Sequence, residues 1–153
     1  MSFSRRHFLS RLALYGSPVA AFGYGSGVEK RSLRLSEIEV PVAARHSQLD
    51  GMKVGLMSDF HHDDFGDGRL IRRAVDALNR HGADLVILAG DYISREPAAL
   101  GPLCHELARL RPRLGTYAVM GNHDAWHHDL AMPRLFEEAG LRLLVNEAIP
   151  LEG

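Results

Sequence analysis

Three short strings hold the residue types that can do chemistry: Ser58-Asp59-Phe60-His61, Gly90-Asp91-Tyr92 and Gly121-Asn122-His123-Asp124. Asp59 and His61 stand two positions apart, so on an extended loop a hard oxygen and an imidazole face the same ion. Asp91 follows Gly90, whose missing side chain lets the chain turn sharply and leaves the carboxylate projecting, free to give one oxygen to each of two ions. Asn122 offers a neutral carbonyl oxygen, which binds a cation without adding charge that would repel an anion. His123 beside it brings a protonatable ring, and Asp124 is placed to orient and charge that ring. Each string alone reads more readily as a polar turn. Their joint occurrence points to a metal site with acid–base capacity.

Residues so far apart converge only if the elements between them allow it. Apolar runs at 52–57, 84–89, 116–120 and 142–145 end directly before Ser58, Gly90, Gly121 and Asn146. Short continuous Val, Ile and Leu runs between turn residues are the pattern of strands buried on both faces. Between the runs, Leu70, Ile71, Ala74, Val75 and Leu78 share one helical face, with Arg72, Arg73, Asp76 and Asn79 opposite and Gly82 as the stop. Leu100, Leu103, Cys104, Leu107 and Leu110, closed by Pro112, form a second stripe, and Leu135, Phe136 and Ala139 before Gly140 a third. Upstream, Leu33, Leu35, Ile38, Val40 and Val42 alternate with polar residues and predict an opening strand closed by Pro41. The alternation of strand and helix predicts an α/β fold with a mainly parallel sheet built from βαβ units. Ligands of such sheets bind where strands end, so Asp59, His61, Asp91, Asn122 and His123 are expected to meet at one sheet edge.

Composition sets outer limits. With 153 residues, 46% hydrophobic and 24% charged, the chain is an ordinary globular domain rather than a disordered, collagenous or integral membrane protein. Its single cysteine, Cys104, allows no internal disulfide and falls on an apolar stripe, as a core residue does. Net charge is −1, and the acidic remainder beyond residue 30 carries no basic footprint, so no nucleic-acid partner is expected. The acidic stretch His62, Asp63, Asp64 and Asp67 reads as a solvated loop. Ser4-Arg5-Arg6-His7-Phe8-Leu9, followed by a weakly apolar stretch broken by Gly16, Pro18 and Gly23, resembles a twin-arginine export signal. Residues 1–28 are therefore expected to be a signal and linker read by the twin-arginine machinery, with the product in the periplasm or cell envelope. An uncleaved signal would leave a membrane tether.

The stretches LMSDFHHDD, ILAGDY and VMGNHDAW resemble calcineurin-like metallophosphoesterases over about residues 33–153, and Leu144-Val145-Asn146-Glu147 resembles an exported phosphodiesterase branch. The resemblance implies the N-terminal half of an α/β/β/α sandwich and two divalent ions (Mn, Fe or Zn) about 3.5–4 Å apart that act on a phosphate ester. Asp59 and His61 would bind the first ion, Asp91 both, and Asn122 the second; His123 would act on the phosphate or leaving group, supported by Asp124. A phosphodiester or pyrophosphate is expected rather than a phosphoprotein, because Gly90-Asp91-Tyr92-Ile93-Ser94-Arg95 lacks the Gly-Asp-x-x-Asp-Arg-Gly string of protein phosphatases. Export points to a cell-envelope substrate. The family pattern continues with a lone His and a Gly-His-x-His motif that these residues do not contain, so 33–153 is expected to be a partial domain with its C-terminal half absent. The second ion would then be underligated and one sheet face uncovered. The alternative is an inactive half-domain that binds at most one metal or needs a partner chain.

Overall fold

The computed structural model describes residues 33–65, 68–126 and 131–151, so the expected export signal lies outside the described residues. The chain divides into two compact units, Met1–Arg34 and Leu35–Gly153, and the second holds every candidate site residue. Its order is β1 (Val54–Met57), α1 (His62–Phe65), α2 (Arg69–His81), β2 (Leu85–Leu88), α3 (Leu100–Leu107), β3 (Thr116–Ala118), α4 (Asn122–Trp126), α5 (Ala131–Glu138) and β4 (Arg142–Leu143). The four strands form one sheet in the order β1-β2-β3-β4, and every neighbouring pair is parallel. This is the expected α/β architecture.

Register explains the packing. Gly55 lies opposite Val86, and Leu88 lies opposite Ala118. Val86, Leu88 and Ala118 are buried in one cluster with Val75 and Leu78 of α2, Leu103 and Leu107 of α3, and Phe136 of α5. The Leu78 methyls come as close as 3.0 Å to where a β-carbon on Gly55 would stand, so glycine at this strand position lets α2 lie tight on the sheet. Helix α2 stops where Gly82 turns left-handed at φ 72°, and its N–H donates to Leu78 O at 3.1 Å. The polar face of α2 is bound to α3. Arg72 pairs with Glu106, Arg109 pairs with both Asp76 and Glu106, and the Asn79 amide donates to Arg109 O while accepting from Arg111 N–H.

Right-handed crossovers taken in chain order put the helices that connect the strands on the same sheet face. The opposite face is open at β1, where Val54 is 47% and Leu56 67% exposed. Strand β1 is thus not buried on both faces, whereas Leu85 on the same face of β2 is buried; an uncovered face was itself an expectation of the half-sandwich. The opening strand is a second correction. Residues 33–43 form no strand, and Leu35, Ile38 and Val40 are exposed. An alternating segment becomes a strand only with a ladder to join, and among the described residues β1 pairs with β2 alone. Among the described residues, no helix is long and apolar enough to cross a membrane.

Candidate metal centre

Pairing continues past the strand ends. The Asp59 N–H donates to Gly90 O at 3.1 Å, His61 N–H to Asp91 O at 3.0 Å, and His62 N–H to Tyr92 O at 3.0 Å. The first two motif loops therefore run zipped together, which sets His61 beside Asp91. Three of these residues hold left-handed backbone: Asp59 at φ 54°, His61 at φ 38° and Asp91 at φ 57°. Such conformations are unfavourable for residues with a β-carbon, and they persist where surrounding bonds over-determine them.

The third loop closes on this pair through two glycines. A β-carbon on Gly90 would overlap the Gly121 backbone, and one on Gly121 would overlap the backbone and carboxylate of Asp91. Asp124, fully buried, ties the loops together by accepting from Gly121 N–H at 2.8 Å, Asp91 N–H at 2.7 Å and Tyr92 N–H at 2.9 Å. Asp91 Oδ1 in turn accepts from His123 N–H at 3.1 Å. Beneath them Tyr92 is wholly buried, shares its hydroxyl proton between Leu88 O and Val119 O, stacks on Phe60 and meets Phe136 edge to face. Burial, the largest influence, with the Asp124 carboxylate, pushes the Tyr92 phenol far up, so it stays a neutral donor.

One donor atom each from His61, Asp91 and His123 lies within 4.8 Å of the others. His61 Nε2 stands 4.0 Å from Asp91 Oδ2, and the two imidazoles meet edge to face at 4.9 Å between centroids. Two imidazoles and a carboxylate, half-buried at this spacing, fit a divalent ion of the kind that nitrogen and oxygen ligands share. Asp59 sits at the same edge outside this triple, exposed, with one carboxylate oxygen accepting from Ser58 Oγ at 2.6 Å. Asn122 opens α4 and is also exposed. The carboxylate of Asp124, expected to orient the His123 ring, is engaged by the three backbone amides that join the loops.

Two residues at the centre escaped the reading of the strings. Ser94 Oγ lies 2.7 Å from His61 Nδ1. Asp63, read as part of a solvated loop, accepts from three successive amides, Ser94 N–H at 2.7 Å, Arg95 N–H at 2.6 Å and Glu96 N–H at 2.8 Å. Burial pushes its carboxyl up, but the amides of Ser94, Glu96 and Arg95 together outweigh that and hold it at about 2. No spacing rule announces a carboxylate that serves a loop 31 residues away.

The profile of the family described as calcineurin-like phosphoesterase matches residues 52–151, which include every residue of the cluster. The chain belongs to the calcineurin-like phosphoesterase family. These phosphoesterases are hydrolases, and the chain resembles several of them. A transmembrane protein with metallophosphoesterase domain from Danio rerio is 29% identical over 88% of this chain and 31% of its own length. The UDP-2,3-diacylglucosamine pyrophosphatase LpxG of Chlamydia muridarum is 23% identical over 76% of this chain and 36% of its own. The metallophosphoesterase YkuE of Bacillus subtilis is 26% identical over 90% of this chain and 50% of its own. The chain spans about a third of the length of the first two of these relatives. No solved structure matches it.

Proposed function

We propose that the chain carries the metal-binding half-site of a hydrolase acting on a phosphodiester or pyrophosphate bond of a cell-envelope compound. The observation that carries this reading is the convergence of His61, Asp91 and His123 from three strand ends. Similarity to a pyrophosphatase named for a diacylglucosamine nucleotide supports the substrate class. In this reading Asp59 and His61 hold one ion, Asp91 reaches two, and Asn122 serves the second. A divalent ion held there supplies Lewis acidity and neutralises phosphate charge. The Asp91 carboxylate, accepting from the His123 amide, fixes the backbone of His123, whose ring is assigned proton transfer to the leaving group. Asp124 keeps the loops in register. Residues 1–28 are assigned as a twin-arginine export signal on the Arg5-Arg6 string, with export to the envelope.

A second reading is favoured by the donor count itself: the triple can take one ion with His123 as a direct ligand, leaving a domain that binds metal without turnover. Calorimetric titration with Mn²⁺, followed by assay on bis(p-nitrophenyl) phosphate, separates the two. Two ions and turnover that appear once the family's later His and Gly-His-x-His motifs are supplied, and that Asp91→Asn abolishes, support the hydrolase; one ion and no turnover even in that extended form supports the second reading. In an active preparation His123→Ala is expected to retain metal and lose turnover by about 10²–10⁴-fold. Loss of metal instead makes His123 a ligand.

A further inference from the structure

The His61 ring has two nitrogens with different surroundings: Nδ1 is 2.7 Å from the Ser94 hydroxyl, and Nε2 faces Asp91 Oδ2 at 4.0 Å. A ring can offer a lone pair to an ion at Nε2 only if its proton sits on Nδ1, and that proton then needs an acceptor. We propose that Ser94 is the positioning residue for His61: its hydroxyl oxygen accepts from Nδ1–H and so presents Nε2 to the cluster as a lone pair. The proposal rests on the metal-site reading above and names what aims one of its ligands.

Ser94 is itself held in place. It is 9% exposed, and its amide is the first of the three that Asp63 collects. Asp63 belongs to α1, the turn that begins directly after His61. The two loops are therefore cross-braced in both directions. The first loop reaches across through the Asp63 carboxylate to fix the backbone at 94–96, and the second reaches back through the Ser94 hydroxyl to fix the ring at 61. His61 carries a left-handed backbone at φ 38°, so the direction of its side chain is set by these bonds rather than by a preferred local conformation. Partners of this kind on a ligating imidazole fix tautomer and orientation together.

The test compares Ser94→Thr, which keeps the hydroxyl, with Ser94→Val, which has the same shape without it. Nitrogen chemical shifts of the labelled imidazoles are recorded on the metal-free full chain at a pH where the rings are neutral. Mn²⁺ affinity is measured separately by calorimetry. The expected result is His61 as the Nδ1–H tautomer in the parent and in Ser94→Thr, a shift towards Nε2–H in Ser94→Val, and Mn²⁺ binding about 10–100-fold weaker in Ser94→Val alone. If Ser94→Val does not fold by circular dichroism, Ser94→Ala takes its place. An unchanged tautomer in the variant without the hydroxyl overturns the proposal. So does unchanged Mn²⁺ affinity there when Asp91→Asn lowers it, and that outcome leaves the metal reading standing. If the parent binds no Mn²⁺, the metal reading fails, and the tautomer comparison still decides whether Ser94 aims the ring.

Discussion

Asp59, His61 and Asp91 show how the site trades local comfort for geometry. Each occupies the left-handed region, where a β-carbon is disfavoured and glycine is not. Substituting Asp59 separates backbone from side chain: Asp59→Gly is expected to be more stable than Asp59→Ala by about 1 kcal/mol, read from urea unfolding, while both weaken Mn²⁺ binding. Equal stabilities would mean that the φ of 54° carries no strain. Gly121 presents the opposite case, because a methyl group there meets the Asp91 backbone and carboxylate at once. Gly121→Ala is expected to destabilise the fold by about 1–3 kcal/mol, as overpacking does, and to weaken Mn²⁺ binding with it. The motif strings made Gly90, Asp91, His61 and His123 legible. Ser94 and Asp63 were not, because their partners lie 33 and 31 residues away and no period links the two loops.

At the scale of elements, the α2–α3 clamp makes stability depend on acid. Glu106 is 8% exposed. Its side-chain bond from Arg72 lowers its carboxyl most, burial opposes this, and the Arg109 bond adds to the lowering, so the group sits at about 2 against an ordinary 4.5. A carboxyl lowered by folding contributes stability that is fully present above its unfolded value and lost as pH falls through the folded one. Urea midpoints of the parent chain are therefore expected to fall between about pH 4.5 and about pH 2. Glu106→Gln is expected to be less stable at neutral pH and to show a shallower decline over that window. A parallel decline would assign the acid sensitivity to other groups. The stripe Ile71, Val75 and Leu78 and the Gly82 stop announced α2 from sequence. Its polar face gave no sign of α3, since an arginine bound for a buried glutamate looks like one bound for water.

Over the whole molecule, sequential strand order decides how much sheet is covered. The helices that connect the strands share one face, and Val54, Leu56 and Val119 lie exposed. Open apolar surface of this kind favours association. Leu56, 67% exposed, is the most exposed of these three, so a charge there disturbs the fold little. Leu56→Lys is expected to change unfolding free energy by no more than about 0.5 kcal/mol and to reduce concentration-dependent self-association in sedimentation velocity. A large loss of stability would show that this face is packed in the folded chain.

The α/β alternation, the four strands and the three strand-end motifs were all legible along the chain, because apolar runs and turn residues report a strand buried on at least one face wherever it ends up. The opening segment 33–43 misled for the same reason: alternation records what a strand would bury, and it says nothing of whether a neighbour exists to complete its ladder. Which face of the sheet is covered, which donors meet within 4.8 Å, and which carboxylates brace loops all depend on contacts between segments about 30 residues apart. Asp124 makes the difference plain. Its neighbours in the chain suggested a partner for His123, and folding brought the amides of Asp91 and Tyr92 to its oxygens, where a buried carboxylate is stabilised by the donors that reach it in space.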